Sequence, residues 1–139
     1  MTESADDKKP DVLVVDDEMM LRLYASDLLE EKGFSVIEAS NADEALKRLE
    51  EYPGIRLLFT DVNMPGELDG LDLAHEVHRR WPNVLLVVTS GKAELGSADL
   101  PDDGRFIPKP YDEEALIAEV KGLIEQHPER AGEPPDEMQ

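Results

Sequence analysis

Five short apolar, largely β-branched runs recur along the chain, each followed by a segment of different periodicity. The runs are VLVV at 12–15, FSVIEA at 34–39, IRLLFT at 55–60, VLLVVT at 84–89 and RFIP at 105–108. The first, third and fourth are almost unbroken in apolar residues, as strands covered on both faces must be. Between the runs the spacing changes. Leu21, Ala25, Leu28 and Leu29 fall at i, i+4, i+7 and i+8, with Gly33 as a stop. Ala42, Ala45, Leu46 and Leu49 form a second helical stripe behind Asn41, with Glu44 at capping-box spacing. A third helix is expected from about Leu71 to Arg80, ended by Trp81-Pro82. A last one carries Leu116, Ile117, Val120, Leu123 and Ile124 behind Asp112. Strand–helix alternation of this kind predicts a doubly wound α/β domain: five parallel strands with helices on both faces. One unit breaks the rhythm. Between Thr89 and Phe106, SGKAELGSADLPDDGR has interior glycines, a proline and several acids, so a fourth helix there is expected to be short or mobile.

The chain has 139 residues, enough for one domain with a real core. Residues 1–10 and 127–139 are polar or proline-rich and are expected to be disordered tails around a domain at 11–126. Formal charge is −19, and the tails carry only −1 and −3 of it, so the acidity belongs to the folded body. Such a body repels phosphate backbones and anionic lipid, which argues against direct binding to nucleic acid or membrane. Cysteine is absent, which removes disulfides, thiolate metal sites and thiol nucleophiles. There is no span-length apolar run and no secretory signal at the start, and a cytoplasmic protein is expected.

In an open parallel sheet, ligands collect at the carboxyl ends of the strands. The residues there are Asp16-Asp17-Glu18 after the first strand, Thr60-Asp61 after the third, Thr89-Ser90 after the fourth and Lys109-Pro110 after the fifth; the second offers only Ala39-Ser40. Two like charges about 4 Å apart repel by roughly 4 kcal/mol at an effective dielectric near 20. Asp16, Asp17 and Asp61 therefore converge only if protons or a cation compensate, and one lysine does so only in part. Hard oxygen donors without His or Cys favour Mg²⁺, or Mn²⁺, which keeps several waters and leaves room for a phosphoryl group. A carboxylate can attack phosphorus to give an aspartyl phosphate, while a cation, a lysine and a hydroxyl neutralise the transferring oxygens. Asp61, alone at the end of the central strand, is the candidate nucleophile. Asp16 and Asp17 are the candidate metal ligands, Lys109 the charge partner and Thr89 the hydroxyl donor.

VLVVDDE at 12–18, TDVNMPGELDGLDL at 60–73, VVTSG at 87–91 and PKP at 108–110 together resemble the receiver domain of bacterial response regulators, in that family's order and over about residues 11–126. The resemblance implies the flavodoxin-like strand order 2-1-3-4-5. It further implies Asp61 as phospho-acceptor, Asp17 as direct Mg²⁺ ligand, Asp16 as a ligand mainly through water, and the backbone carbonyl of Asn63 as completing the protein's share. Lys109 would contact the phosphoryl group. Thr89 would swing toward it, and Phe106 would be the aromatic whose rotamer follows. The loop 64–70 looks one residue longer than the family's commonest form.

Other features read more plainly. His75 and His78, three apart on one helix, have no third ligand partner and suit a solvated face. Trp81 is expected to pack over a helix end, and Met19-Met20 to fill core and rim. The function expected is a stand-alone receiver phosphorylated by a sensor histidine kinase or histidine phosphotransfer protein, acting on an unknown downstream protein by contact. Two rivals are a constitutive binding module with the same fold and a Mg²⁺-dependent aspartyl-phosphate phosphohydrolase. The second would need a general-acid Asp where Asn63 stands.

Overall fold

The computed structural model describes residues 10–64, 66–91, 100 and 104–126. Its elements run β1 (Val12–Val15), α1 (Met19–Glu31), β2 (Val36–Ala39), α2 (Ala42–Glu51), β3 (Leu57–Asp61), α3 (Gly70–Arg80), β4 (Leu85–Ser90), β5 (Arg105–Pro108) and α4 (Glu113–Gln126). The five strands form one sheet in the order β2-β1-β3-β4-β5, every neighbouring pair parallel. The α/β architecture and the strand order are thus as expected. The expectations for the two tails and for most of the segment between Thr89 and Phe106 fall outside the described residues.

Alternation along each strand builds two cores. Leu13, Val15, Leu58, Val62, Leu86 and Val88 face the layer of α2 and α3. Val12, Val14, Leu57, Phe59, Leu85, Val87 and Ile107 face α1 and α4. β1, β3 and β4 are buried at every position, which explains their unbroken apolar sequence. α1, α2 and α4 meet the sheet through residues of the stripes read from the sequence (Ala25, Leu28 and Leu29; Ala42, Ala45 and Leu49; Leu116, Ile117, Val120 and Leu123), and α3 does so through Leu73, Ala74 and Val77. Each fully buried Leu or Val contributes roughly 1.5–3 kcal/mol of transfer free energy.

Local chemistry sets the helix ends. Gly33, at φ 98°, follows α1; its N–H bonds Glu30 O and the N–H of Phe34 bonds Leu29 O, a paired C-terminal closure that only glycine enters cheaply. That closure consumes Phe34, so β2 begins at Val36 and not at 34. Asn41 caps α2 by accepting from Glu44 N at 2.8 Å, but Glu44 returns its carboxylate to Ser40 N and Ser40 Oγ, one residue earlier than a reciprocal box would. Asp112 caps α4 by accepting from Ala115 N.

One reading is corrected. Met19 and Met20 do not fill core or rim: they are 58% and 75% exposed, beside Leu23 and Tyr24 at 41% and 42%. α1 starts at Met19 itself, so the turn that points Ala25, Leu28 and Leu29 at the sheet swings these four residues outward. His75 is exposed and His78 half-buried on α3, and half-buried Trp81 lies at that helix end under the Arg80 guanidinium, 4.4 Å from the ring centre.

Candidate functional site

Register carries the strand-end residues to one place. Val15 stands opposite Thr60, so the next residue, Asp16, comes level with Asp61; Asp61 in turn stands opposite Thr89, and Thr89 opposite Ile107. By strand alternation Asp16 follows Val14, Asp61 follows Phe59, Thr89 follows Val87 and Lys109 follows Ile107, all on the α1–α4 side. The three carboxylates of Asp16, Asp17 and Asp61 each place an oxygen within 4.8 Å of the others. Lys109 Nζ reaches Asp61 Oδ1 at 3.3 Å.

The cluster is built into the fold. Asp16 N donates to Ala39 O at 3.2 Å, and Asp16 Oδ1 accepts from Glu18 N at 2.9 Å. Arg22 Nη1 donates to the backbone oxygen of Asp16 at 2.8 Å, while its Nε pairs with Glu38 at 2.9 Å. Val62 N donates to Thr89 O at 2.9 Å, fixing the start of the loop that follows Asp61. Asp16 and Asp61 are 5% and 4% exposed, whereas Asp17 faces solvent. The inner wall is therefore dry and the mouth is wet.

Electrostatics follow from that burial. The Asp61 carboxyl is pushed up from the ordinary carboxylate range, first by desolvation and then by Asp17, against the charge and hydrogen bond of Lys109 and the Asn63 N–H, which pull it down. Asp16 is raised as well, by burial foremost, with Asp61 and Asp17 adding and the Glu18 N–H and Lys109 opposing. Tyr111 stands edge-on to Phe59 at 5.7 Å between ring centres, and its phenol is raised by burial and by Asp16. Among the described residues, the buried Asp61 Oδ1 has no donor apart from Lys109, and the buried Thr89 Oγ1 has no hydrogen-bond partner. Raised acids and unpartnered buried oxygens are the condition in which a divalent cation and an anionic group are both welcome.

Asp16, Asp17, Asp61 and Lys109 are thus brought together, with Thr89 beside Asp61 in the ladder. Asn63 is exposed and contributes its N–H to the Asp61 carboxylate. Phe106 is half-buried opposite Val88 and packs on the α2–α3 side, one strand position out of phase with Thr89. Two neighbours of the site were not singled out from sequence, Arg22 and Tyr111. Arg22 had a signal: a cation in the first turn of a helix opposes the helix dipole and calls for a local acid to justify it.

The fold and site together define a parallel α/β domain with an oxygen-rich, divalent-cation-type pocket at its switch edge. The profile of the response regulator receiver domain matches residues 12–121. The chain is 29% identical over 116 residues to the response regulator receiver protein CpdR of Brucella abortus, covering 81% of this chain and 95% of CpdR. It is 36% identical over 119 residues to the sensor kinase CckA of the same organism, covering 83% of this chain but 12% of the kinase. Among solved structures, the receiver domain of NtrX from Brucella abortus superposes with TM-score 0.76 at 32% identity, covering 83% of this chain and 98% of that one. A receiver domain protein from Clostridium thermocellum gives 0.77 at 25% identity, covering 86% and 97%. The chain belongs to the response regulator receiver family of two-component signalling. Members of that family are phospho-acceptor regulators that work with histidine kinases or phosphotransfer proteins. Among the described residues, no helix is long and apolar enough to cross a membrane.

Proposed function

We propose that Asp61 accepts a phosphoryl group from a phosphohistidine on a histidine kinase or phosphotransfer protein, and that the chain signals in the cytoplasm through protein–protein contacts. The observation that carries this reading is the buried Asp61 oxygen, 3.3 Å from Lys109, inside a three-carboxylate cluster. A carboxylate oxygen of Asp61 attacks phosphorus, the P–N bond to the donor imidazole breaks, and its electron pair stays on that nitrogen. Lys109 follows the charge from the carboxylate to the phosphoryl oxygens, and the unpartnered Thr89 hydroxyl donates to another of them. Asp16, Asp17, Asp61 and the carbonyl of Asn63 would hold Mg²⁺, with Mn²⁺ as substitute. Bound there, the ion neutralises the acids and the incoming anion. Water later attacks phosphorus, the bond to the Asp61 oxygen breaks, inorganic phosphate leaves and the free carboxylate returns, so the cycle is a switch and not the turnover of an external substrate.

Engagement of Thr89 is proposed to move Phe106, changing the surface offered to a downstream protein. The outward face of α1, with Met19, Met20, Leu23 and Tyr24, supports protein contact beside the acceptor. Intact-mass spectrometry after acetyl phosphate and Mg²⁺ tests the core of the proposal: a gain of about 80 Da that hydroxylamine removes and Asp61→Asn abolishes is the expected result. Labelling that survives in Asp61→Asn assigns the wrong nucleophile.

A further inference from the structure

The acceptor needs more than a carboxylate and a cation; its backbone must hold the carboxylate still while phosphorus approaches. Besides Thr89, whose backbone oxygen accepts from Val62 N, two residues outside the acid cluster touch that backbone. Thr60, fully buried, donates its hydroxyl to the backbone oxygen of Asp61 at 3.0 Å; its alternative acceptor, Met64 Sδ, is 3.9 Å away. Gly70, the first residue of α3, presses on the same peptide from the helix side. A Cβ there would lie 2.0 Å from Asp61 O and 2.7 Å from both Asp61 C and Val62 Cα. Its N–H donates to Val62 O at 2.8 Å, so helix and strand end are bonded where they crowd.

We infer that Thr60 and Gly70 are positioning residues for phosphoryl transfer, clamping the Asp61–Val62 peptide so that the Asp61 side chain meets phosphorus in register with Lys109 and Thr89. The inference rests on Asp61 being the acceptor. Thr60 points to the α2–α3 side and touches neither phosphoryl group nor cation; it acts only through the carbonyl it holds. Gly70 acts by lacking a side chain. Ordinary contact begins near 3.4 Å, so an alanine would drive helix and acceptor peptide apart by about 1.4 Å. A displacement of roughly 1 Å costs on the order of a hundredfold where reacting atoms must be aligned.

The test uses the full chain with saturating Mg²⁺ and acetyl phosphate, recording labelling rate, melting temperature and Mg²⁺ affinity for wild type, Thr60→Val, Thr60→Ser and Gly70→Ala. Valine fills the same volume without the hydroxyl, and serine restores the donor. The expected result is wild-type rate in Thr60→Ser, about tenfold slower labelling in Thr60→Val, and about a hundredfold slower labelling in Gly70→Ala, all measured well below each melting temperature. If Gly70→Ala does not fold, the Thr60 pair decides alone. Thr60→Val labelling as fast as wild type, whatever its melting temperature, overturns the clamp and leaves Asp61 as acceptor. A wild type that never labels overturns the acceptor assignment, and the clamp with it.

Discussion

The same three strands are built to opposite rules at their two ends. Along Val12–Val15, Leu57–Phe59 and Leu85–Val88 every side chain is apolar and buried, and each strand adds to a core that both helical layers cover. One or two residues further on, the ladder delivers Asp16, Asp61 and Thr89, equally buried and all polar. Burial stabilises the first set and penalises the second. The interior supplies enough stability for the edge to keep two buried acids beside each other, and carboxylates that repel one another favour a cation offered to them.

The largest effects should separate the two ends. Asp61→Asn should abolish phosphorylation completely, yet raise the melting temperature of the metal-free protein by several degrees. The sign follows from the raised Asp61 carboxyl: the folded state holds that proton more tightly than the unfolded chain, so the stability tied to it is present below the ordinary Asp range and is lost as pH rises through the folded value. Asparagine removes that loss, and thermal melts across this window should show a flatter decline than wild type. A lower melting temperature at neutral pH would mean that the edge is not strained.

At the other end of the same strand, Leu58→Ala should cost about 3 kcal/mol in urea unfolding, because it empties a fully buried site between α2 and α3. Labelling of the folded protein well below its midpoint should be unchanged. Lys109→Met falls between the two ends. It removes the cation paired with Asp61, so the metal-free protein should lose about 1 kcal/mol, a figure kept small because the lysine is partly solvated. Mg²⁺ binding should survive while phosphorylation slows. Loss of Mg²⁺ binding instead would make Lys109 a structural residue.

Legibility tracked the range of the contacts. The strands, the helical stripes and the convergence of Asp16, Asp17, Asp61 and Lys109 follow from period and from where parallel strands end, and these can be read one segment at a time. The apolar stripe that begins at Leu21 does not reveal that α1 starts at Met19, and a two-residue shift of a helix start turns a side chain from rim to solvent. The Arg22–Glu38 pair joins residues 16 apart on neighbouring elements, and no local pattern announces it. Gly70 carries no local signal, since its crowding against Asp61 exists only once α3 has docked on β3. The Asp69 cap was overlooked for a chemical reason: its partner three residues on is Asp72, not the Glu or Gln the pattern leads one to seek.

That cap gives the smallest and most discriminating effect. Asp69 accepts from Asp72 N at 2.9 Å, and Asp72 accepts from Asp69 N at 3.2 Å, both on the exposed side of the α3 start. Asp69→Ala removes one side chain of this box, which is ordinarily worth about 1 kcal/mol, and a fall in midpoint of that order is expected in urea unfolding. Gly70 follows at once in sequence, but its grip on the strand end is the Gly70 N–H to Val62 O bond, which the substitution leaves in place. Labelling should therefore stay within about twofold of wild type. A larger drop would show that the cap, too, positions the acceptor, and the division between a stabilising interior and a functional edge would have to be drawn through α3 as well as across the sheet.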